Sequence, residues 1–309
     1  MESYRRLAVS PSMVQAAQAT RRRARLMRLL ERVLTYAALV LASAVFVLPF
    51  WWMLITSFKE LQEAYRYPPT FFPHSFTLEP YRLAWEFEPW LLFLRNTLTI
   101  VVGCLVGTVL TSTLCAYGFS RLRFRGRDLV FVVILASMML PNQVLLIPTY
   151  ILFRQIGWLD SFKPLIIPAW FGGGAFNIFL MRQFFTSIPM DMIDAARIDG
   201  SSELGIWLRI MLPLSKPAIT AVTVFTIQQH WNDFFGPLIY LNSANKQTLS
   251  LGLRLFQGVL SESGSDYARL GLYTAMMAAS TVVTVPMIVL FVAAQQYFVE
   301  GIQMTGLKG

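Results

Sequence analysis

The ionisable side chains best placed to do chemistry crowd one stretch. They are Asp191, Asp194, Arg197, Asp199 and Glu203, set among Ala195, Ala196 and Gly200. Their arrangement is not that of a catalytic centre. No paired acids sit in a pocket, no Gly-x-Ser-x-Gly elbow occurs, and no Gly-x-x-x-x-Gly-Lys-Ser/Thr loop cradles a phosphate. The chemistry it supports is recognition. Pro189 falls just inside a helix start, and Gly200 can end that helix in a left-handed cap. Ser201 or Ser202 can cap a second helix, which Pro213 helps to stop. Asp191 and Asp194 suit the positive end of the first helix dipole. Met192, Ile193, Ala195 and Ala196 give it an apolar face, with alanines small enough for close approach. The pattern predicts a bent pair of short helices over about 187–213, standing in water between two apolar blocks. The bland reading is an amphipathic helix resting on the membrane. Such a helix favours Lys and Arg on its polar face, and this one carries mainly Asp.

A second group lies inside an apolar block: Gln228, Gln229, His230, Trp231, Asn232 and Asp233. An ionisable group at membrane depth is costly, so it is a candidate functional site. The amides both donate and accept hydrogen bonds, and Trp231 can stack on a sugar face. Together they could line a route for a hydroxyl-rich solute. Equally, Asp233 could cap a broken helix or pair with a basic group of a neighbour. Asn142 and Gln143, beside Pro141, form a further pathway candidate. His74 and His230 are the only histidines, and no metal-ligand cluster is expected. Cys104 and Cys115 read as small buried hydrophobes rather than a disulfide.

The elements that must position these groups follow from composition. The chain has 309 residues, 55% hydrophobic and 14% charged. A soluble domain carries about a quarter charged residues. Six segments are apolar and long enough to cross a bilayer: about Val33–Ser57, Asn96–Ser120, Leu129–Phe153, Pro164–Phe185, Pro217–Leu241 and Leu272–Val299. Pro141 and Pro148 should break the third, and Gly172–Gly174 the fourth, with protein covering the irregular backbone. Gly103 and Gly107 allow close helix packing, within the chain rather than at a dimer face.

The net charge of +9 is arranged by topology, not for nucleic acid. Arg5, Arg6, Arg21, Arg22, Arg23, Arg25, Arg28 and Arg32 precede the first span, and Arg121, Arg123, Arg125 and Arg127 follow the second. The positive-inside rule then puts both termini and the 187–213 stretch in the cytoplasm. Residues 1–32 form a basic arm suited to anionic lipid headgroups, and residues 33–309 the membrane domain. The apolar run is too long, and starts too late, for a cleavable signal peptide. The loop Lys59–Trp90 is rich in aromatics and proline. It suits an interfacial belt or a docking surface for an extracellular partner, and both readings stand.

Asp194-Ala195-Ala196-Arg197-Ile198-Asp199-Gly200, followed by Ile210-Met211-Leu212-Pro213, resembles the E-A-A…G…I-x-L-P loop of bacterial ABC importer permeases, with Asp194 where glutamate is usual. Ala116-Tyr117-Gly118-Phe119-Ser120-Arg121, Ile147–Tyr150, Phe176–Phe185 and Trp231-Asn232-Asp233-Phe234 resemble, in turn, parts of the second, third, fourth and fifth helices of the same family. The tail Tyr297–Gly301 with Thr305–Gly309 is similar to its carbohydrate-uptake, maltose-permease G type members.

The resemblance implies an all-α, type I ABC importer permease fold in the bacterial inner membrane. It implies that Asp191, Asp194, Ala195, Ala196, Arg197, Asp199, Gly200 and Glu203 meet a cytoplasmic ATPase. It implies further a second permease, two ATPase subunits and an extracytoplasmic solute-binding protein. ATP and Mg would sit on the ATPase subunits, with no cofactor in this chain and no catalysis by it. The solute would be a sugar or related polyol. The rival is an ion-gradient-driven secondary transporter, which would want inverted repeats and more intramembrane carboxylates.

Overall fold

A computed structural model describes residues 11–262 and 271–306, and the side chains of 27–141, 143–258 and 271–295. Among the described residues every regular element is helical. The first helix, α1 (Pro11–Thr56), runs unbroken through residue 32, so residues 11–32 of the basic arm continue into the first span. Residues 27–50 of α1 are exposed all round, as an apolar helix is when lipid surrounds it. Residues 1–10 and 307–309, with Arg5, Arg6 and the last tail residues, lie outside the described residues.

After α1 the chain forms a short amphipathic helix, α2 (Glu79–Phe87), and the long helix α3 (Trp90–Arg121). Helices α4 (Arg127–Ser137), α5 (Asn142–Gln155) and α6 (Ala175–Ser187) follow. Next come α7 (Met190–Ile198), α8 (Glu203–Ile206), α9 (Lys216–Trp231) and α10 (Phe235–Tyr240). The last two are α11 (Leu249–Glu262) and α12 (Leu272–Gly306). Helix α3 is the central post. It packs on α6 and α9, while α12 packs on α2, α9 and α1.

Among the described residues, four helical stretches are long and apolar enough to cross a membrane: Met27–Thr56, Trp90–Arg121, Lys163–Ser187 and Leu272–Gln295. A fifth is a bent pair, Glu203–Leu214 with Lys216–Trp231, at 82°. The expected third span is not one helix but two, α4 and α5. The first ends at Ser137, and the second starts after Pro141, whose ring lacks an N–H and disfavours helix in the residue before it. Met138–Pro141 are exposed, so this break is not covered by the chain itself as expected. The fourth span breaks at Gly172, Gly173 and Gly174, which have φ of 90°, 64° and 90°. Here the chain does cover the break: a Cβ on Gly173 would lie 2.8 Å from the Thr108 Cα on α3. Only glycine allows that backbone approach.

Gly103 and Gly107 face the same segment. A Cβ on either would meet Ile166 at 2.9 Å or the Trp170 ring at 2.6 Å, and Trp170 Nε1 donates to the Gly103 carbonyl at 3.1 Å. The pair therefore works within the chain. Cys104 is fully buried and its thiol donates to the Leu165 carbonyl at 3.2 Å, and Cys115 is partly buried.

Candidate functional site

The stretch 187–213 folds as two short helices joined by a tight turn. Pro189 is the residue before α7 rather than its first residue, with φ −56° and ψ 138°. Gly200 ends α7 at φ +80°. Its N–H donates to Arg197 O and the Ser201 N–H to Ala196 O, both at 3.0 Å, which satisfies the orphan carbonyls in a Schellman turn. Ser202, not Ser201, caps α8, its Oγ accepting from Gly205 N at 3.2 Å. The chain then winds through a π-helical turn, Trp207–Met211, and bends at Ser215.

The apolar face of α7 divides. Ile193 is fully buried and Ala196 only 9% exposed, both in a core with Phe185, Trp207, Met211 and Val222. Met192 and Ala195 face outward instead. Residues three apart on a helix share a face, so Ile193 with Ala196 forms one stripe and Met192 with Ala195 another. Ala196 is thus a body contact. The outermost apolar groups are Ile198, 86% exposed, and Leu204, 66% exposed, which flank the Gly200 turn. Asp191, Asp194 and Asp199 are exposed around them.

Two networks fix this pair to the body. Arg197 binds Asp194 Oδ1 at 3.1 Å within α7 and Glu203 Oε1 at 2.9 Å across the turn. The hydrogen bond from Arg197 to the Glu203 carboxylate raises the guanidinium above its ordinary pKa. The Tyr117 hydroxyl, on α3, donates to Glu203 Oε2 at 2.5 Å. One turn further, Arg121 is buried. Its Nη2 donates to the carbonyls of Phe185 and Ile188, and its Nη1 to Met190 Sδ at 3.4 Å. A cation on the open carbonyls of the α6 end satisfies both hydrogen bonding and the helix dipole. Sequence reasoning took Arg121 for a loop charge and gave Tyr117 no role. The one signal was their shared place in the Ala116–Arg121 motif.

The second group separates. Gln228, Gln229 and Asn232 are exposed at the end of α9, and Gln143 on α5 is exposed too. The Asn142 side chain lies outside the described residues. His230 is partly buried. Trp231 is 6% exposed, packed with Trp90 and Phe256, and its Nε1 donates to the Val283 carbonyl at 3.2 Å. Its ring is therefore part of the core instead of a free stacking platform. Asp233 Oδ1 accepts from Gly236 N at 3.1 Å, in the first turn of α10, after the break in the fifth span.

Elsewhere, Asp160 joins two loops. Its Oδ1 accepts from Asn242 N and Ser243 N at 3.0 and 2.9 Å, and its Oδ2 from Ser243 Oγ and Lys246 Nζ at 2.5 and 3.0 Å. The Ser243 bonds first, then the Lys246 ammonium, hold this carboxyl far below the usual carboxylate range. Among the described residues no group of three or more His, Cys, Asp or Glu side chains is placed to hold a metal.

The family model for the binding-protein-dependent transport system inner membrane component matches residues 108–303. The chain is 30% identical over 286 residues to the polygalacturonan/rhamnogalacturonan transport system permease protein YtcP of Bacillus subtilis (strain 168), covering 90% of this chain and 98% of that protein. It is 35% identical over 214 residues to the arabinooligosaccharides transport system permease protein AraQ of the same organism, covering 69% and 72%. A crystal structure of a bacterial ABC transporter that imports the acidic polysaccharide alginate contains a chain of the same fold. The TM-score is 0.75 at 24% identity, over 90% of this chain and 98% of that one. With its multi-pass helical body, the chain belongs to the family of binding-protein-dependent transport system inner membrane components, as a permease subunit of an ABC importer.

Proposed function

We propose that this permease imports an oligosaccharide or related polyhydroxylated solute through the bacterial inner membrane, with both termini in the cytoplasm. It pairs with a second, distinct permease, two ATPase subunits that hold ATP and Mg, and an extracytoplasmic solute-binding protein. The solute class is supported by the sugar-polymer names of the relatives. The second permease is supported by the open break at Met138–Pro141, because irregular backbone at membrane depth must be covered by protein or line a wet cavity.

The observation that carries the reading is the bent pair α7–α8. It is anchored inward through Ile193, Ala196, Tyr117 and Arg121, and it presents Ile198 and Leu204 outward. The outward face, with Asp191, Asp194, Ala195, Asp199 and the Gly200 turn, enters the ATPase. Arg197 and Glu203 keep it rigid. ATPase closure then moves this element, and the bundle rocks between inward-open and outward-open states as packed bodies. Gln228, Gln229, Asn232 and Gln143 line the solute route. His230, Trp231 and Asp233 hold the broken fifth span that presents them.

The test is co-purification with the candidate ATPase subunits and ATP-dependent uptake in vesicles. Ile198→Asp and Gly200→Pro should lose ATPase association while the membrane body stays folded. Full association and uptake in both variants would overturn the assignment.

A further inference from the structure

A cavity of about 740 Å³ lies between α2, the start of α3, the end of α9 and the middle of α12. Trp85, Trp90 and Trp231, with Ala278, Ala279 and Pro286, are among its walls. The indole N–H groups of Trp90 and Trp231 already have partners, the carbonyls of Ala84 at 2.6 Å and Val283 at 3.2 Å. The interior therefore offers little to a sugar hydroxyl and much to hydrocarbon, since a solute site needs convergent polar groups.

The mouth is different. Arg82 stands there between Glu79 at 2.6 Å and Glu86 at 3.7 Å, and the three side chains are 63%, 49% and 61% exposed. One cation between two carboxylates leaves a local charge of −1 (+1 − 2). Pro286 lies 14 residues into the apolar stretch that begins at Leu272, about 21 Å at 1.5 Å per residue. The cavity thus joins a water-exposed ionic edge, Arg82 and Glu86, to apolar walls that reach Pro286.

That is the outline of an amphiphile with a headgroup of both charges. We propose that the cavity holds one phospholipid with a zwitterionic, primary-amine headgroup. Its phosphate meets Arg82 and its ammonium donates to Glu86, the more loosely held carboxylate. Its upper acyl chain lies along Ala278, Ala279 and Pro286. A purely anionic headgroup would face the surplus carboxylate. A quaternary ammonium lacks the N–H donors that Glu86 can accept. This site does not depend on the solute or on the ATPase contact.

The full chain, with whatever subunits purify with it, is incubated with equal amounts of phosphatidylethanolamine, phosphatidylcholine and phosphatidylglycerol of matched chains. Bound lipid is then counted by native mass spectrometry. Phosphatidylethanolamine should be retained preferentially. Ala279→Phe fills the cavity and should lower retention about tenfold, the equivalent of roughly two buried methylenes. Glu86→Gln, at an exposed position that does not disturb folding, should lower the preference for phosphatidylethanolamine over phosphatidylcholine about threefold. Equal retention of the three lipids by the wild type would overturn the proposal. So would a preference unchanged in Glu86→Gln, or a second permease cross-linking into the cavity with no lipid retained. Should Ala279→Phe fail to fold, the Glu86→Gln comparison decides alone.

Discussion

Tyr117 Oη donates to Glu203 Oε2 at 2.5 Å, joining residues 86 positions apart. The bond pins the turn between α7 and α8 to the central helix α3. Glu203 is also held by Arg197, so this carboxylate is one of the ties, beside Arg121 and the shared apolar core, that join the turn to α3.

Removing that tie should uncouple motion from fold. Tyr117→Phe is expected to lower stability by only about 1 kcal/mol, because Glu203 keeps Arg197 and partial access to water. Transport should fall further than stability does. Comparing ATP-dependent uptake with thermal unfolding of the purified assembly checks this; equal, small losses in both would count against a transmitting role.

Two neighbouring alanines should behave in opposite ways. Ala196→Glu places a carboxylate among Ile193, Trp207 and Met211 and should unfold the loop, costing more than about 3 kcal/mol. Ala195→Glu points outward and should leave unfolding within about 0.5 kcal/mol of wild type while ATPase binding weakens. Limited proteolysis and co-purification separate the two outcomes.

Gly200 has φ +80° with open space around it, so strain rather than collision governs substitution there. Gly200→Ala should cost about 1 kcal/mol, and Gly200→Asn less, because asparagine tolerates the left-handed region. Hydrogen exchange of the Ser201 amide would report the loosened turn.

Gly107→Ala meets the Trp170 ring, where a Cβ would sit 2.6 Å away. The ring must shift and its bond to the Gly103 carbonyl must lengthen. Overpacking of this kind costs about 1–3 kcal/mol. Trp170→Ala in the same chain should recover part of the loss, which a double-mutant cycle on thermal unfolding would measure.

Asp160 sets a pH dependence. Its folded carboxyl titrates well below the unfolded value of about 4, so its contribution is complete above that value and is lost as pH falls through the folded one. Stability should be flat from pH 7 to about 5 in this respect and decline below about 4. Asp160→Asn keeps the Oδ1 acceptor but loses the Lys246 pair. It should lower the plateau and flatten the acid decline in a pH series of unfolding temperatures.

The bent helix pair was legible because its signals are local. Proline before a start, serine at a cap and glycine at a left-handed end act within a few residues. The broken third and fourth spans were legible for the same reason. The direction in which α7 faces was not, since it depends on α3 and α6 meeting it from remote parts of the chain. The period of a helix would have separated Ile193 and Ala196 from Met192 and Ala195, but not said which stripe the body takes. Arg121 was misread because its partners are backbone carbonyls, which leave no trace in side-chain identity. Trp231 and Asp233 looked like pathway groups because polar atoms at membrane depth stand out; their partners, Val283 O and Gly236 N, are backbone atoms as well.

The 82° corner at Ser215 makes the chain a bell crank. One arm, Glu203–Leu214, carries the exposed Leu204; the other, Lys216–Trp231, carries Gln228 and ends beside Asn232. A crank turned through nearly a right angle redirects thrust. A lateral push on Leu204 is therefore turned into movement along Lys216–Trp231, at whose end Gln228 and Asn232 stand.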